Sequence, residues 1–68
     1  MAKTAIKIQE HLDIKWKNWF DGMDFIYEKD ATIIIGDIRD SAFMYGILNK
    51  IRDLNLNLIS INPAEDNH

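Results

Sequence analysis

The stretch TIIIGDIRDSAFMYGILNKIRDL (residues 32–54) contains a strand pattern followed at once by a helix pattern. Its first seven residues are β-branched and apolar on both faces, which is typical of a central strand. Asp40 or Ser41 then offers an N-cap, because its side-chain oxygen accepts the free backbone N–H groups of a first helical turn. At about 100° per residue, the apolar side chains that follow share one arc of about 140°: Phe43, Met44, Ile47, Leu48, Ile51 and Leu54.

The residues after this helix predict how the chain returns to the sheet. Asn55 suits the left-handed C′ position, because asparagine tolerates that conformation, and the next residue can then fold back on the last turn as in a Schellman ending. The segment NLISIN (residues 57–62) is typical of a strand that Pro63 ends. We therefore expect a single domain over residues 1–62 and a frayed C-terminal tail over residues 63–68.

The residues before the opening stretch predict a strand, a short helix and a second strand. AIKIQEHL (residues 5–12) alternates apolar and polar, as a half-buried strand does. Asp13 can cap a short helix, IKWKNWF (residues 14–20), with Gly22 as its C-terminal stop. In MDFIYE (residues 23–28) the period changes to two, and the short polar turn EKDA leads into the central strand.

The predicted order of elements is strand, helix, strand, strand, helix, strand. Because crossover connections are right-handed, the natural closure is a βαββαβ ferredoxin-like α+β fold. Its four-stranded antiparallel sheet would carry both helices on one face. If the first helix is only a turn or two long, the alternative is a simpler α+β sheet with one main helix.

Composition limits the classes of function. The chain has 68 residues, no cysteine and two histidines, which argues against a disulfide framework and a zinc cage. No GxGxxG, Walker loop, CxxC, HExxH or nucleophile elbow is present. We therefore expect no enzyme, no cofactor and no metal site.

Charge and hydropathy bear on partners and location. The formal net charge of −3 argues against nucleic-acid binding, since phosphate contacts demand a basic face. The first ten residues, MAKTAIKIQE, lack the apolar core of a signal peptide, and no apolar run approaches the ~20 residues that span a bilayer. We expect a cytoplasmic protein without membrane contact.

A pattern spread over nearly the whole chain resembles a family of small, uncharacterised bacterial proteins. The first part of the pattern is HLD (residues 11–13), Trp16, WF (residues 19–20) and Gly22. The second part is Gly36, Asp40, Ala42, Gly46, KIRDL (residues 50–54) and LIS (residues 58–60). The resemblance implies a self-contained domain and brings no activity with it. Many members of that family carry a histidine where this chain has Tyr45, which argues against histidine-dependent chemistry at the helix. They usually end the helix with a glycine where this chain has Asn55.

Two polar groups are candidate sites. Asp37, Arg39 and Asp40 could hold a cation or an anion before the helix, but two carboxylates make a poor cation loop, and a cap accounts for Asp40. His11 lies near Glu10 and Asp13 in sequence, which allows a His-carboxylate relay, although no nucleophile motif accompanies it. We interpret the first group as a helix cap and His11 as structural.

The aromatic side chains and one glycine allow two interpretations each. Trp16, Trp19 and Phe20 could stack on bases, with lysines beside them, or could form core and rim. We favour core and rim. Gly46 costs its helix ~1 kcal/mol relative to alanine, so it should mark a close approach by the first helix or by a second copy of the chain.

The sheet face away from the predicted helices suggests an interface. In the ferredoxin-like arrangement it would carry polar side chains together with Ile26, Ile34 and Leu58. An apolar strip inside a polar rim is how a modest interface is built. We therefore expect a homodimer with Ile34 near its centre.

The sequence supports two hypotheses about function. The leading hypothesis is a small non-catalytic module that associates with itself and binds a protein partner. The alternative is a regulatory domain that senses a small molecule, bound on the sheet or at the dimer interface, by analogy of fold alone.

Overall fold

Four antiparallel strands form one sheet in the order β2-β3-β1-β4. The computed structural model describes residues 3–20 and 23–63. Along the chain the elements are β1 (Thr4–Gln9), a 3₁₀ segment (Ile14–Lys17), β2 (Asp24–Tyr27), β3 (Ala31–Gly36), α1 (Ser41–Asp53) and β4 (Leu58–Pro63).

The strand register determines which side chains share a face. Ile6 on β1 lies opposite Ile34 on β3 and Ile61 on β4, and Phe25 on β2 also lies opposite Ile34. Directly opposed residues of antiparallel strands point to the same face. These side chains therefore lie on the face that α1 covers, and Ile33, next to Ile34 in the chain, lies on the other face.

The core lies between that face and α1. Its fully or almost fully buried apolar side chains come from β1, β3 and α1 and from the loops on either side of the 3₁₀ segment: Ile6, Ile8, Leu12, Phe20, Met23, Ile34, Ile47 and Ile51. The two helical members, Ile47 and Ile51, are one turn apart and belong to the apolar arc that the sequence predicts. Half-buried aromatic rings complete the packing around Phe20.

The predicted ferredoxin-like fold with two helices on one face is wrong. The described residues contain one α-helix, and a four-residue 3₁₀ segment stands where the first helix was expected. A helix that runs back along a six-residue strand must cover about 20 Å, whereas four 3₁₀ residues rise only about 8 Å. The protein is an α+β sheet with one main helix, which was the alternative.

Local hydrogen bonds confirm the predicted helix ends. The Asp13 carboxylate accepts the backbone N–H of Lys15 at 3.0 Å, and the Asp40 carboxylate accepts that of Phe43 at 2.9 Å. Asn55 has a left-handed φ of 58°, and its N–H donates to the Arg52 carbonyl at 2.9 Å. The N–H of Leu56 donates to the Ile51 carbonyl at 3.0 Å. This pair of bonds is the Schellman ending.

The strand ends differ from the predicted ones by a few residues. β1 ends at Gln9 because Glu10 has a left-handed φ of 83° and turns the chain away from the sheet. Pro63, expected in the tail, still pairs with Thr4. Residues 64–68 and Gly22, the expected helix stop, lie outside the described residues. Among the described helices, none has the length and apolar character to cross a membrane.

Candidate functional site

The candidate site is the sheet face away from α1, called here the open face. It carries one row of Ile26, Ile33 and Lys7 across β2, β3 and β1, and a second row of Asp24, Ile35 and Ala5. Ile33 and Ile35 are half-buried by their neighbours, and Ile26 is 48% exposed. An apolar patch of Ile26, Ile33 and Ile35 therefore lies over β2 and β3 on the open face.

A β-bulge brings one more apolar side chain to this face. The β1–β4 register shifts between Lys7 and Ile8, so that Lys7 faces Ser60 while Ile8 faces Leu58. Ile59, between those two partners, lines a surface depression of about 450 Å³ together with Lys7 and is 52% exposed. Ile59 is thus a further apolar side chain on the open face, separated from Ile33 by Lys7 on β1.

Charges of both signs border the patch. The Lys7 ammonium lies 3.1 Å from the Glu28 carboxylate, and the Lys17 ammonium lies 3.3 Å from the Asp24 carboxylate. All four side chains are partly exposed, so each pair contributes little to stability. Their arrangement gives the open face an apolar centre and a mixed-charge rim.

Of the three residues predicted at an interface, only Ile26 lies on the open face. Ile34 is 0% exposed and belongs to the core, and Leu58 lies opposite Ile8 on the helix side. The assignment of Ile34 and Leu58 to the open face is therefore wrong. The residues that sequence reasoning missed there are Ile33, Ile35 and Ile59.

The acidic residues before α1 form a helix start. The Asp40 side chain caps the first turn, and the Arg39 guanidinium lies 4.8 Å from the centre of the Phe43 ring. Within residues 3–20 and 23–63, no group of three or more His, Asp or Glu side chains could hold a metal ion. The cap is the role that the geometry supports for Asp40.

His11 belongs to a network that ties the end of β1 to β2 and β3. Its ring Nε2 lies within hydrogen-bond distance of the Glu28 carbonyl oxygen, and its ring contacts Tyr27 edge-on at 5.5 Å. The buried Thr32 hydroxyl accepts the N–H of Leu12 and donates to the carbonyl of Glu10, both at 2.9 Å. These contacts use backbone partners, and the Asp13 carboxylate serves the 3₁₀ segment. The arrangement is structural.

The aromatic side chains form a continuous row from the 3₁₀ segment to β2. Ring centres are 5.3 Å apart between Trp16 and Trp19, 5.6 Å between Trp19 and Phe20, and 6.1 Å between Phe20 and Phe25. Phe20 is fully buried, and both tryptophans are half-buried against the core. The row therefore packs the β2 side of the sheet, as core and rim.

Among the described residues, Gly46 has no close neighbour outside its own helix. A Cβ built on it would meet none of them within 4 Å, so the expected close approach by the first helix is wrong. Gly36 is the tight position instead, since its Cβ would lie 3.0 Å from Cγ of Met23. Contact of Gly46 with a second copy stays a prediction.

The fold and the open face define a small α+β domain with one sheet face uncovered by its helix. Residues 3–62 match the family model described as Domain of unknown function (DUF8691), and the chain belongs to that family. Neither a curated protein nor a solved structure matches the chain.

Proposed function

We propose that this chain is a small, non-catalytic interaction module of the bacterial cytoplasm that forms a homodimer through its open face and binds a protein partner. The observation that supports this is the apolar patch of Ile26, Ile33 and Ile35, with Ile59 beyond Lys7 on the same face. Scattered apolar residues are normal on a protein surface, but a contiguous patch with a polar rim marks a contact surface.

Symmetry makes a second copy a suitable occupant of the open face. A two-fold axis places the same patch on both sides of the interface, so an apolar centre meets an apolar centre. The rim carries Lys7, Lys17, Asp24 and Glu28, which offer both signs of charge to their symmetry mates. Self-association also stabilises a chain of 68 residues that has no disulfide.

Light scattering on a size-exclusion column at micromolar concentration tests the homodimer. We expect Ile26→Lys to lower the mass of the assembly, because it puts a charge in the apolar patch at a position already 48% exposed in the monomer. Tyr45→Lys is the matched control, since Tyr45 is a 66% exposed aromatic side chain on the far side of α1.

The measured masses distinguish a homodimer through the open face from a monomer and from an interface on the helix. A wild-type mass of 8.0 kDa at all concentrations would overturn the homodimer. If Tyr45→Lys lowers the mass and Ile26→Lys does not, the interface lies on the helix, near Gly46.

The second candidate function is a regulatory domain that binds a small molecule. The depression beside Lys7, Glu28 and Ile59 has about 450 Å³, which is within the size range of ligand sites, and it combines apolar and charged walls. A thermal-shift screen with amino acids and nucleotides tests it, because a ligand raises the melting temperature by mass action. A shift that Lys7→Gln abolishes would favour sensing over association.

A further inference from the structure

β4 (Leu58–Pro63) is an outer strand with no charged residue. Its sequence is LISINP, and its only strand partner in the sheet is β1. One edge of β4 therefore has no strand beside it within the part of the chain that the structure describes. A free strand edge presents backbone N–H and C=O groups that pair readily with another strand.

Apolar side chains stand exposed on both faces of β4. Leu58 and Ile61 point to the helix side, opposite Ile8 and Ile6, yet they are 45% and 38% exposed. Ile59 extends to the open face. The helix side of this strand is left uncovered because α1 packs over the middle of the sheet and the 3₁₀ aromatic row packs over β2.

The other outer strand, β2, is protected against pairing with another chain by its short length and by charged side chains. It has only four residues, it begins at Asp24, which pairs with Lys17, and Glu28 follows it directly. Short edge strands with charges avoid unwanted pairing. β4 is longer and lacks such charges. Its bulge lies between Leu58 and Ser60 and its proline is the last residue, Pro63, so residues 60–62 are the part of its edge that is open to pairing.

We infer that β4 pairs antiparallel with β4 of a second copy, which joins the two four-stranded sheets edge to edge. An uncharged strand opposes no like charges when it pairs with itself across a two-fold axis. The pairing satisfies the free backbone groups and brings Leu58 and Ile61 of both copies together on the helix side. A second copy is therefore the occupant that this edge fits.

This contact is additional to the homodimer proposed above. The axis of edge pairing is perpendicular to the sheet, whereas face-to-face association uses an axis parallel to it, so one molecule can make both contacts. Two-fold axes that intersect at right angles generate a closed assembly of four chains, and this is the assembly that we expect from both contacts. Either contact can fail without the other.

Scattering masses of single and double variants test the edge pairing. We expect four times the chain mass for the wild type, half of that for Ile61→Lys, which places a charge at the pairing edge, and half for Ile26→Lys. The double variant should fall to one chain mass, and Tyr45→Lys should keep the wild-type mass. Far-ultraviolet circular dichroism confirms that each variant is folded.

Other scattering masses decide whether the edge pairing is kept or overturned. A folded Ile61→Lys with the wild-type mass overturns the edge pairing. A wild type of two chain masses decides between the contacts: reduction by Ile61→Lys alone keeps the edge pairing, and reduction by Ile26→Lys alone overturns it.

Hydrogen exchange of the wild type covers the case in which Ile61→Lys does not fold. Edge pairing predicts that the outward-facing amides of β4 are protected at concentrations at which the wild type is assembled, and that they exchange faster once dilution lowers its mass. Fast exchange of these amides in the assembled wild type overturns it. Protection at a mass of one chain also overturns it, because the edge would then be covered without a second copy.

Discussion

Thr32 is the one buried polar side chain among the described residues, and it has two hydrogen bonds. We expect Thr32→Val to lower the free energy of unfolding by about 1–3 kcal/mol, because the N–H of Leu12 and the carbonyl of Glu10 lose their partner while shape is kept. Urea unfolding measures the change. Thr4→Val, at a half-buried position of β1, should change it by about 0.5 kcal/mol at most. Equal effects of the two substitutions would contradict the structural role of the hydroxyl.

Asp40 tests the distinction between a cap and a binding site. Asp40→Ala should lower stability by about 0.5–2 kcal/mol, because the N–H of Phe43 loses its acceptor, and Asp40→Asn should lower it much less. Mg²⁺, Ca²⁺ or phosphate should leave the melting temperature of the wild type unchanged. A clear shift with millimolar ion that Asp40→Asn abolishes would favour a site over a cap.

At the scale of single elements, the helix ends were predictable because they depend on neighbouring residues only. Asp13, Asp40 and Asn55 take the predicted positions, since a side-chain cap or a left-handed residue needs nothing from the rest of the fold. The sequence also predicted in part that the first helix is short. Few residues follow Asp13 before Gly22, too few for a helix that spans the sheet.

Neighbouring residues alone did not predict which side chains of β3 and β4 point to the core. β3 contains three consecutive isoleucines, so alternation does not show which of them points to the core. In the structure Ile34 and the Thr32 hydroxyl point to the core. The partners of that hydroxyl, Glu10 and Leu12, follow β1 and lie 22 and 20 residues away in sequence. The bulge at Ile59 shifts β4 by one position, and no residue in LISINP signals it.

Two glycines in different elements should respond to alanine with opposite signs. Gly46→Ala should raise the free energy of unfolding by ~1 kcal/mol, because the new methyl group meets no neighbour within 4 Å in the described part of the chain and alanine favours the helix. Gly36→Ala should lower stability, because its Cβ would lie 3.0 Å from Cγ of the buried Met23, which must shift.

Thermal and urea unfolding of both glycine variants provide the comparison. Loss of stability in Gly46→Ala that grows with protein concentration would show that a second copy packs against the helix at this position.

At the scale of the whole molecule, the chain has a small core and several unprotected apolar surfaces. One helix and one aromatic row cover a single face of a four-stranded sheet, which leaves the open face and the β4 edge in contact with solvent. A domain of 68 residues buries only about 60% of the surface that its unfolded chain exposes. Association of copies increases that fraction, which links the proposed function to stability.

The most direct test of this account is to detect contacts between copies at the open face. A sample that mixes isotope-labelled and unlabelled chains allows intermolecular nuclear Overhauser effects to be recorded from isoleucine methyl groups. The account predicts such effects from Ile26 and Ile33, and none from the buried Ile47, which serves as the internal control. If the Ile26 and Ile33 methyl groups show no intermolecular effects at millimolar concentration, the open face is not the interface and the proposed function is contradicted.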